Sequence, residues 1–130
     1  MKRRLALSAY LVPDYDGAID WFVHVLGFVL LEDTDLGDGK RWVRVAASAD
    51  AATALLLAKA DTPAQQACIG NQTGGRVGHF LHTDDFARDH AAMLSKGVRF
   101  LEAPRHEAYG SVAVFEDPYG NRWDLLEPAR

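Results

Sequence analysis

The residues best suited to chemistry in this sequence lie in its second half. His82 ends one strand-like segment and Asp124 lies in the middle of another, so the two could form an acid/base or substrate-orienting pair. Asp124 is the most informative residue, because strand alternation places its carboxylate on the face opposite Trp123. The alternative interpretation is structural for both. His82 would then be a hydrogen-bonded histidine at a strand end, and Asp124 would be a carboxylate paired with Arg44 or Arg122.

Strand alternation also selects residues that could line or rim a ligand cavity. Phe80 shares the face of His82 because the two are two positions apart on one predicted strand, and Trp42 shares a face with Arg44 on an earlier strand. The predicted ligand-binding residues are Trp42, Phe80, His82 and Asp124, with Tyr109 and Arg122 at the rim. Two alternatives stay open, since Trp42 could be an ordinary core residue and 105–110 a solvated loop.

His79 is the obvious candidate for binding a metal ion. The predicted strand 76–83, however, places His79 with Leu81 and Thr83 on the face that packs against helices. A one-residue bulge would turn His79 towards the cavity instead. We therefore expect a packed or partly exposed strand histidine unless the strand is bulged.

A predicted β-hairpin organises the second half. Asp117-Pro118-Tyr119-Gly120 fits a type I turn position by position, with Asp first, Pro second and Gly fourth. The flanking segments 111–115 and 122–126 are rich in residues that favour strands.

The elements before this hairpin predict an internal repeat. Each half reads strand–helix–strand–strand–strand, with Asp14 or Asp16 capping the first helix and Asp84 or Asp85 the second. Asp14 lies 13 residues before the helix-ending Gly27, and Asp84 lies 13 residues before Gly97. We predict a first module at about 1–60, a linker with one short helix at about 61–75, and a second module at about 76–130. The alternative is an α+β fold without a repeat.

Composition narrows the possible partners. The chain of 130 residues has a net charge of −4 and a pI near 5.6, which argues against nucleic acid or an anionic membrane. The single cysteine excludes an intrachain disulfide and suits a reducing compartment. The apolar run after the basic N-terminus is too short for a membrane span and lacks a small-x-small cleavage site. We therefore predict a cytoplasmic protein.

Three segments carry a family resemblance. They are 12–22 with Leu26-Gly27-Phe28, similar to V-x-D-x-x-x-A-I-x-F-Y…L-G-F; Thr83-Asp84-Asp85-Phe86 with Lys96-Gly97-Val98, similar to V-D-D…G-V; and 115–125, similar to F-x-D-P-D-G-N-x-x-E-L. The sequence thus resembles the vicinal oxygen chelate superfamily, which includes glyoxalase I, extradiol dioxygenases, methylmalonyl-CoA epimerase, and the bleomycin and fosfomycin resistance proteins. The resemblance implies an α+β fold of two βαβββ modules in tandem, forming half-open barrels around a cavity.

Enzymes of that superfamily hold a divalent metal through four positions. By the resemblance, these correspond to Leu7, one of Leu55–Leu57, Gly78 (with His79 beside it), and Asp124. An aliphatic side chain has no lone pair to donate, so at least two of the four positions are lost. We therefore predict that no family-type metal site exists.

The predicted function is the binding of a small organic molecule without a cofactor. The alternative is a metal-dependent glyoxalase-like lyase or isomerase, or a ring-cleaving dioxygenase. Because the superfamily also contains metal-free enzymes, catalysis stays open, with His82 and Asp124 as the candidate catalytic residues. The resemblance also favours a homodimer, which would cover the edges of small half-open sheets.

Overall fold

The chain divides in space between Ile69 and Gly70. The computed structural model describes residues 2–130 and separates into two units, Met1–Ile69 and Gly70–Arg130. The boundary between the units lies within the predicted linker 61–75, which holds the expected short helix. Each unit has its own sheet.

The first unit is a four-stranded sheet with a helix between its first two strands. Its elements are β1 (Leu7–Val12), α1 (Tyr15–Asp20) continued by a π-helical turn (Trp21–Val25), β2 (Val29–Gly37), β3 (Lys40–Ala46), β4 (Ala54–Lys59) and α2 (Pro63–Cys68). The strands lie in the order β1-β4-β3-β2, with β1 parallel to β4 and the other pairs antiparallel.

Local sequence explains where the first helix begins and ends. The Asp14 side chain accepts a hydrogen bond from the Gly17 N–H at 2.7 Å, which caps α1. Gly27 adopts a φ of 80°, a left-handed conformation that ends the helix. The helix packs on the sheet through Phe22, whose ring meets that of Tyr10 edge-on at 5.4 Å. Both side chains are fully buried.

The hairpin between β2 and β3 forms where Asp38-Gly39 predicts it. Both residues have positive φ, 56° and 79°, as a two-residue type I′ turn requires. The second strand runs from Val29 to Gly37, because its polar second half pairs with β3. Arg41 Nη2 of β3 bonds the Asp33 carboxylate at 2.7 Å, and Arg44 Nε bonds Glu32 at 2.9 Å.

The second unit repeats the plan of the first. Its elements are β5 (Val77–His82), α3 (Phe86–Ser95), β6 (Arg99–Phe100), β7 (Arg105–Glu107), β8 (Gly110–Glu116) and β9 (Arg122–Pro128). The order β5-β9-β8-β6 again makes the first strand parallel to the last, as β1 is to β4. The predicted tandem βαβββ fold is therefore confirmed. One element was missed, since 105–107 is a short strand paired with β8.

The turn between β8 and β9 is held by a buried aspartate. The Asp117 side chain is 3% exposed, and its oxygens accept hydrogen bonds from the backbone N–H groups of Tyr119 and Asn121. The Asn121 amide donates a third bond at 2.7 Å. The Gly120 N–H bonds the Asp117 carbonyl at 3.2 Å, as in the predicted type I turn. This turn fixes the register of β9, the strand that carries Asp124.

Candidate functional site

Strand pairing brings three of the predicted site residues of the second unit together. Phe80 lies directly opposite Asp124 across the β5–β9 pair, and His82 lies opposite Leu126. Since register partners and residues two apart share a face, Phe80, His82 and Asp124 lie on one face of this sheet. Phe80 is 60% exposed, so its ring is free to contact a ligand.

His82 and Asp124 are diagonal neighbours on this face. Their Cα atoms are roughly 8 Å apart at ordinary strand spacing, and no hydrogen bond joins their side chains in the described part of the chain. The arrangement is compatible with two contacts to one ligand. The acid/base pair itself stays a prediction.

One oxygen of the partly buried Asp124 carboxyl group has no hydrogen bond among the described residues. Its Oδ1 has no hydrogen-bond partner among residues 2–130. Its pKa is raised above 3.8, chiefly because burial disfavours the charged form; Arg105 opposes this shift and Glu102 adds to it. A buried polar atom without a partner costs free energy and often marks a functional position.

Arg105 lies near Asp124 but is bonded to other groups. Its Nε donates to Glu102 at 2.9 Å, and its Nη1 approaches Glu107 at 3.1 Å and the Tyr109 hydroxyl at 3.5 Å. Glu102 is also held in place, because it accepts the backbone N–H of Val114. Tyr109 itself is 54% exposed at the turn between β7 and β8.

His79 lies on the other face of the second sheet. Its ring stacks on Trp123, with centroids 4.8 Å apart, and Trp123 is only 3% exposed. The pairing register does shift between Val77 and His79, yet His79 remains opposite Trp123. Burial lowers the pKa of His79, and the negative charge of Asp117 opposes this shift.

The two other predicted site residues occupy different surroundings. Arg122 is exposed and lies opposite Glu116 on β8, two positions before Asp124 and on the same face. Trp42 belongs to the first unit, where it is 37% exposed on β3 and lies opposite Thr34. It is therefore not a core residue.

Trp42 borders a cavity of about 420 Å³ within the first unit. Leu11 pairs with Ala58, and Ala9 pairs with Leu56, so these four side chains share one face of the β1–β4 pair. The remaining lining residues are Tyr15, Leu36, Lys40, Arg41, Leu57, Lys59, Asp61 and Gln65. The side chains of Ala9, Leu11, Leu56 and Ala58 form the floor of this cavity. Trp42 was predicted from the sequence and the floor was not, although the alternation that selected Trp42 applies equally to β1 and β4.

Known proteins resemble this chain over most of its length. The profile of the Glyoxalase/Bleomycin resistance protein/Dioxygenase superfamily matches residues 4–125. The chain belongs to this superfamily. An uncharacterized protein from Shewanella frigidimarina (strain NCIMB 400) is 50% identical over 128 residues, which cover 98% of this chain and 95% of that protein.

Two solved structures are similar to this chain over nearly its whole length. The crystal structure of UcmS2 has a TM-score of 0.84 and 26% identity, covering 98% of this chain and 99% of that chain. TnmS3, an antibiotic binding protein from Streptomyces sp. CB03234, has a TM-score of 0.74 and 32% identity, covering 98% of each chain. These proteins share the fold described above.

The resemblance implies metal positions at Leu7, one of Leu55–Leu57, Gly78 and Asp124, and the surroundings of these residues can be described. Leu7 borders a smaller cavity of about 210 Å³ on β1, and Leu56 lies on the floor of the larger cavity. At Gly78 a Cβ atom would lie 2.3 Å from the Thr73 methyl carbon, so a larger residue there would require Thr73 to move. Asp124 alone has a donor group. Among residues 2–130, no three His, Cys, Asp or Glu side chains form a group that could hold a metal ion.

The helices of this superfamily member are short. None of those described within residues 2–130 has the length and apolarity needed to cross a bilayer.

Proposed function

We propose that this protein binds a small organic molecule through aromatic, aliphatic and a few polar side chains, without a metal ion. The observation that carries the proposal is the cavity beside Trp42. Its volume of about 420 Å³ falls within the range of small-molecule sites, and its floor is aliphatic. Such a site takes up an organic ligand by removing apolar surface from water.

Trp42 supplies the aromatic surface of this site. Trp42 is 37% exposed and lines the cavity, so part of its side chain is accessible to a ligand. Stacking on such a ring contributes about 0.5–1.5 kcal/mol beyond the burial of area. The small side chains Ala9 and Ala58 leave room beside it for a flat molecule.

The donor set argues against the metal of the superfamily's enzymes. Divalent metals need three or four converging N, O or S donors. The corresponding positions are aliphatic at Leu7 and Leu56, and Thr73 occupies the space at Gly78. Asp124 has Phe80 and Val114 as its register partners, and neither is a donor. We derive no chemical step through a metal.

The similarity to TnmS3 supports an organic ligand. That protein is an antibiotic binding protein, and the resemblance extends over 98% of each chain at 32% identity. An antibiotic or a related secondary metabolite is therefore the first class of ligand to test here.

Thermal-shift screening against an antibiotic and metabolite library tests this function. Binding stabilises the folded state by mass action, so a true ligand raises the Tm of the wild type in a concentration-dependent way. The Trp42→Ala variant should lose the shift. The matched control is Trp21→Ala, because Trp21 lies on the π-helical turn and does not line the cavity.

A turnover assay on the hemithioacetal of methylglyoxal and glutathione tests the alternative function, a glyoxalase-like enzyme. The proposal predicts no turnover with or without added zinc, nickel, iron or manganese. Metal-dependent turnover, combined with no library ligand that depends on Trp42, would favour a glyoxalase-like enzyme instead.

A further inference from the structure

We infer that the cavity beside Trp42 selects aromatic molecules that carry an anionic group. The inference rests on the proposed function and specifies the chemical class of the ligand. It is based on the charged residues that line the cavity in addition to the apolar residues of its floor.

Two lysines line the cavity without an ion-pair partner. Neither the Lys40 nor the Lys59 ammonium lies within 4 Å of a carboxylate of the described residues, and both residues are exposed. Lys40 lies two positions before Trp42 on β3, so the two share a face and are separated by roughly 7 Å along the strand. A ligand stacked on the Trp42 ring would therefore have Lys40 within reach of a substituent.

The third cation at the cavity is already neutralised. Arg41 bonds Asp33 at 2.7 Å and Asp16 at 2.9 Å, and its guanidinium lies 5.1 Å from the centre of the Tyr15 ring. These contacts hold Arg41 as part of the framework. It is not available to a ligand without breaking two ion pairs.

The remaining charged residue at the cavity is Asp61. It is the single carboxylate among the lining residues, because the two carboxylates bonded to Arg41 do not line the cavity, so a ligand there meets the Lys40 and Lys59 ammonium groups directly. A cationic ligand would be repelled by the two ammonium groups. A neutral hydrocarbon would fill the floor but would gain nothing from the two ammonium groups.

The expected ligand combines a flat ring system with a carboxylate, sulfonate or phenolate. The rings would lie over Ala9, Ala58 and the Trp42 ring, and the anion would reach the lysines at the mouth. Charge-assisted hydrogen bonds between ammonium and anion are stronger than neutral ones, particularly beside apolar surface that excludes water.

Two fluorescent dyes with the same ring system test this inference. Anilinonaphthalene sulfonate is the anionic probe, and N-phenyl-naphthylamine is its neutral counterpart. In the doubly substituted protein with Lys40→Gln and Lys59→Gln, we expect the affinity for the sulfonate to fall about tenfold, whereas the affinity for the neutral dye changes less than about twofold. Lys96→Gln, at the end of α3, is the charge-matched control and should change neither.

The outcomes separate this inference from the proposed function. If the double lysine variant lost affinity for both dyes equally, or for neither, the inferred selection for an anion would be wrong. If Trp42→Ala nevertheless abolished the binding of both dyes, the proposed function would stand without the selection for an anion. If neither dye depended on Trp42, both the proposed function at this cavity and the anion selectivity would be wrong.

Discussion

His79 stacks on Trp123 with ring centroids 4.8 Å apart and the two planes inclined by 25°. Trp123 precedes Asp124 on β9, so the contact places His79 on the face opposite the Asp124 carboxylate. The histidine next to a family metal position is therefore used in packing the second unit. This single contact separates the two side chains that a metal site in the second unit would need most.

Replacing His79 with phenylalanine should change how stability depends on pH. Burial lowers the pKa of His79 below 6.5 in the folded protein, so the unfolded chain takes up a proton first as the pH falls. The contribution of His79 to the free energy of unfolding is complete above its pKa in the unfolded chain. It is lost as the pH drops through its pKa in the folded protein. His79→Phe keeps an aromatic stack but cannot titrate. Its Tm relative to wild type should rise by on the order of a few degrees between about pH 7 and about pH 5.

Thermal denaturation by circular dichroism at several pH values makes this measurement. A difference in Tm that stays constant across the pH range would mean that His79 titrates alike in the folded and unfolded states.

Asp124→Asn should stabilise the protein most at neutral pH. Burial raises the pKa of the Asp124 carboxyl in the folded state, so the unfolded chain loses this proton first as the pH rises. The wild-type protein therefore loses stability as the pH rises from about 3.8 through the raised pKa. The neutral amide avoids burying a charge. Because the side chain is only partly buried, solvent screening limits the gain to about 1 kcal/mol. Urea titrations at about pH 3.5 and about pH 7 should show the gain only at the higher pH. Equal effects at both values would contradict the account of Asp124.

Asp117→Ala should destabilise the second unit severely. The substitution leaves three donors of Tyr119 and Asn121 without an acceptor in a buried turn, at a cost of about 2 kcal/mol or more. The matched control is Asp35→Ala, which removes an exposed hydrogen bond to the Gly37 N–H. Urea denaturation should show a loss below about 1 kcal/mol for the control. Similar losses for both variants would mean that the Asp117 turn is not specially stabilising.

A homodimer is the expected form in solution. In the first unit, β2 is an edge strand, and its residues Val29 and Leu30 are 37% and 39% exposed. Exposed apolar edges favour pairing with another chain. Light scattering should therefore give twice the mass of 14.3 kDa, and Leu30→Lys should lower it, whereas Leu94→Lys on α3 should not. A mass of one chain at micromolar concentration would argue against the dimer.

The repeat could be predicted from sequence because local signals fix it. Asp14 caps α1 and Asp85, rather than Asp84, caps α3, each through its own side chain, and Gly27 and Gly97 follow these helices in left-handed conformations. The alternation around Trp123 likewise identified the buried face of β9. These signals involve neighbours along the chain and need no knowledge of tertiary contacts.

The missed features depend on contacts between distant parts of the chain. The cavity floor forms because Ala9 and Leu11 pair with residues of β4 that lie more than forty positions later. The short strand Arg105–Glu107 has no apolar alternation and exists only because β8 lies beside it. The unbonded state of Asp124 could not be seen either, since it depends on how Arg105 is bonded to Glu102.

Isothermal titration of the best library ligand into protein dialysed against chelator tests the central claim most directly. The account predicts the same Kd for chelator-treated and untreated protein, and a loss of about tenfold or more in Trp42→Ala. Binding that disappears after chelation and returns with zinc, nickel, iron or manganese would contradict the account and support a metal-dependent site.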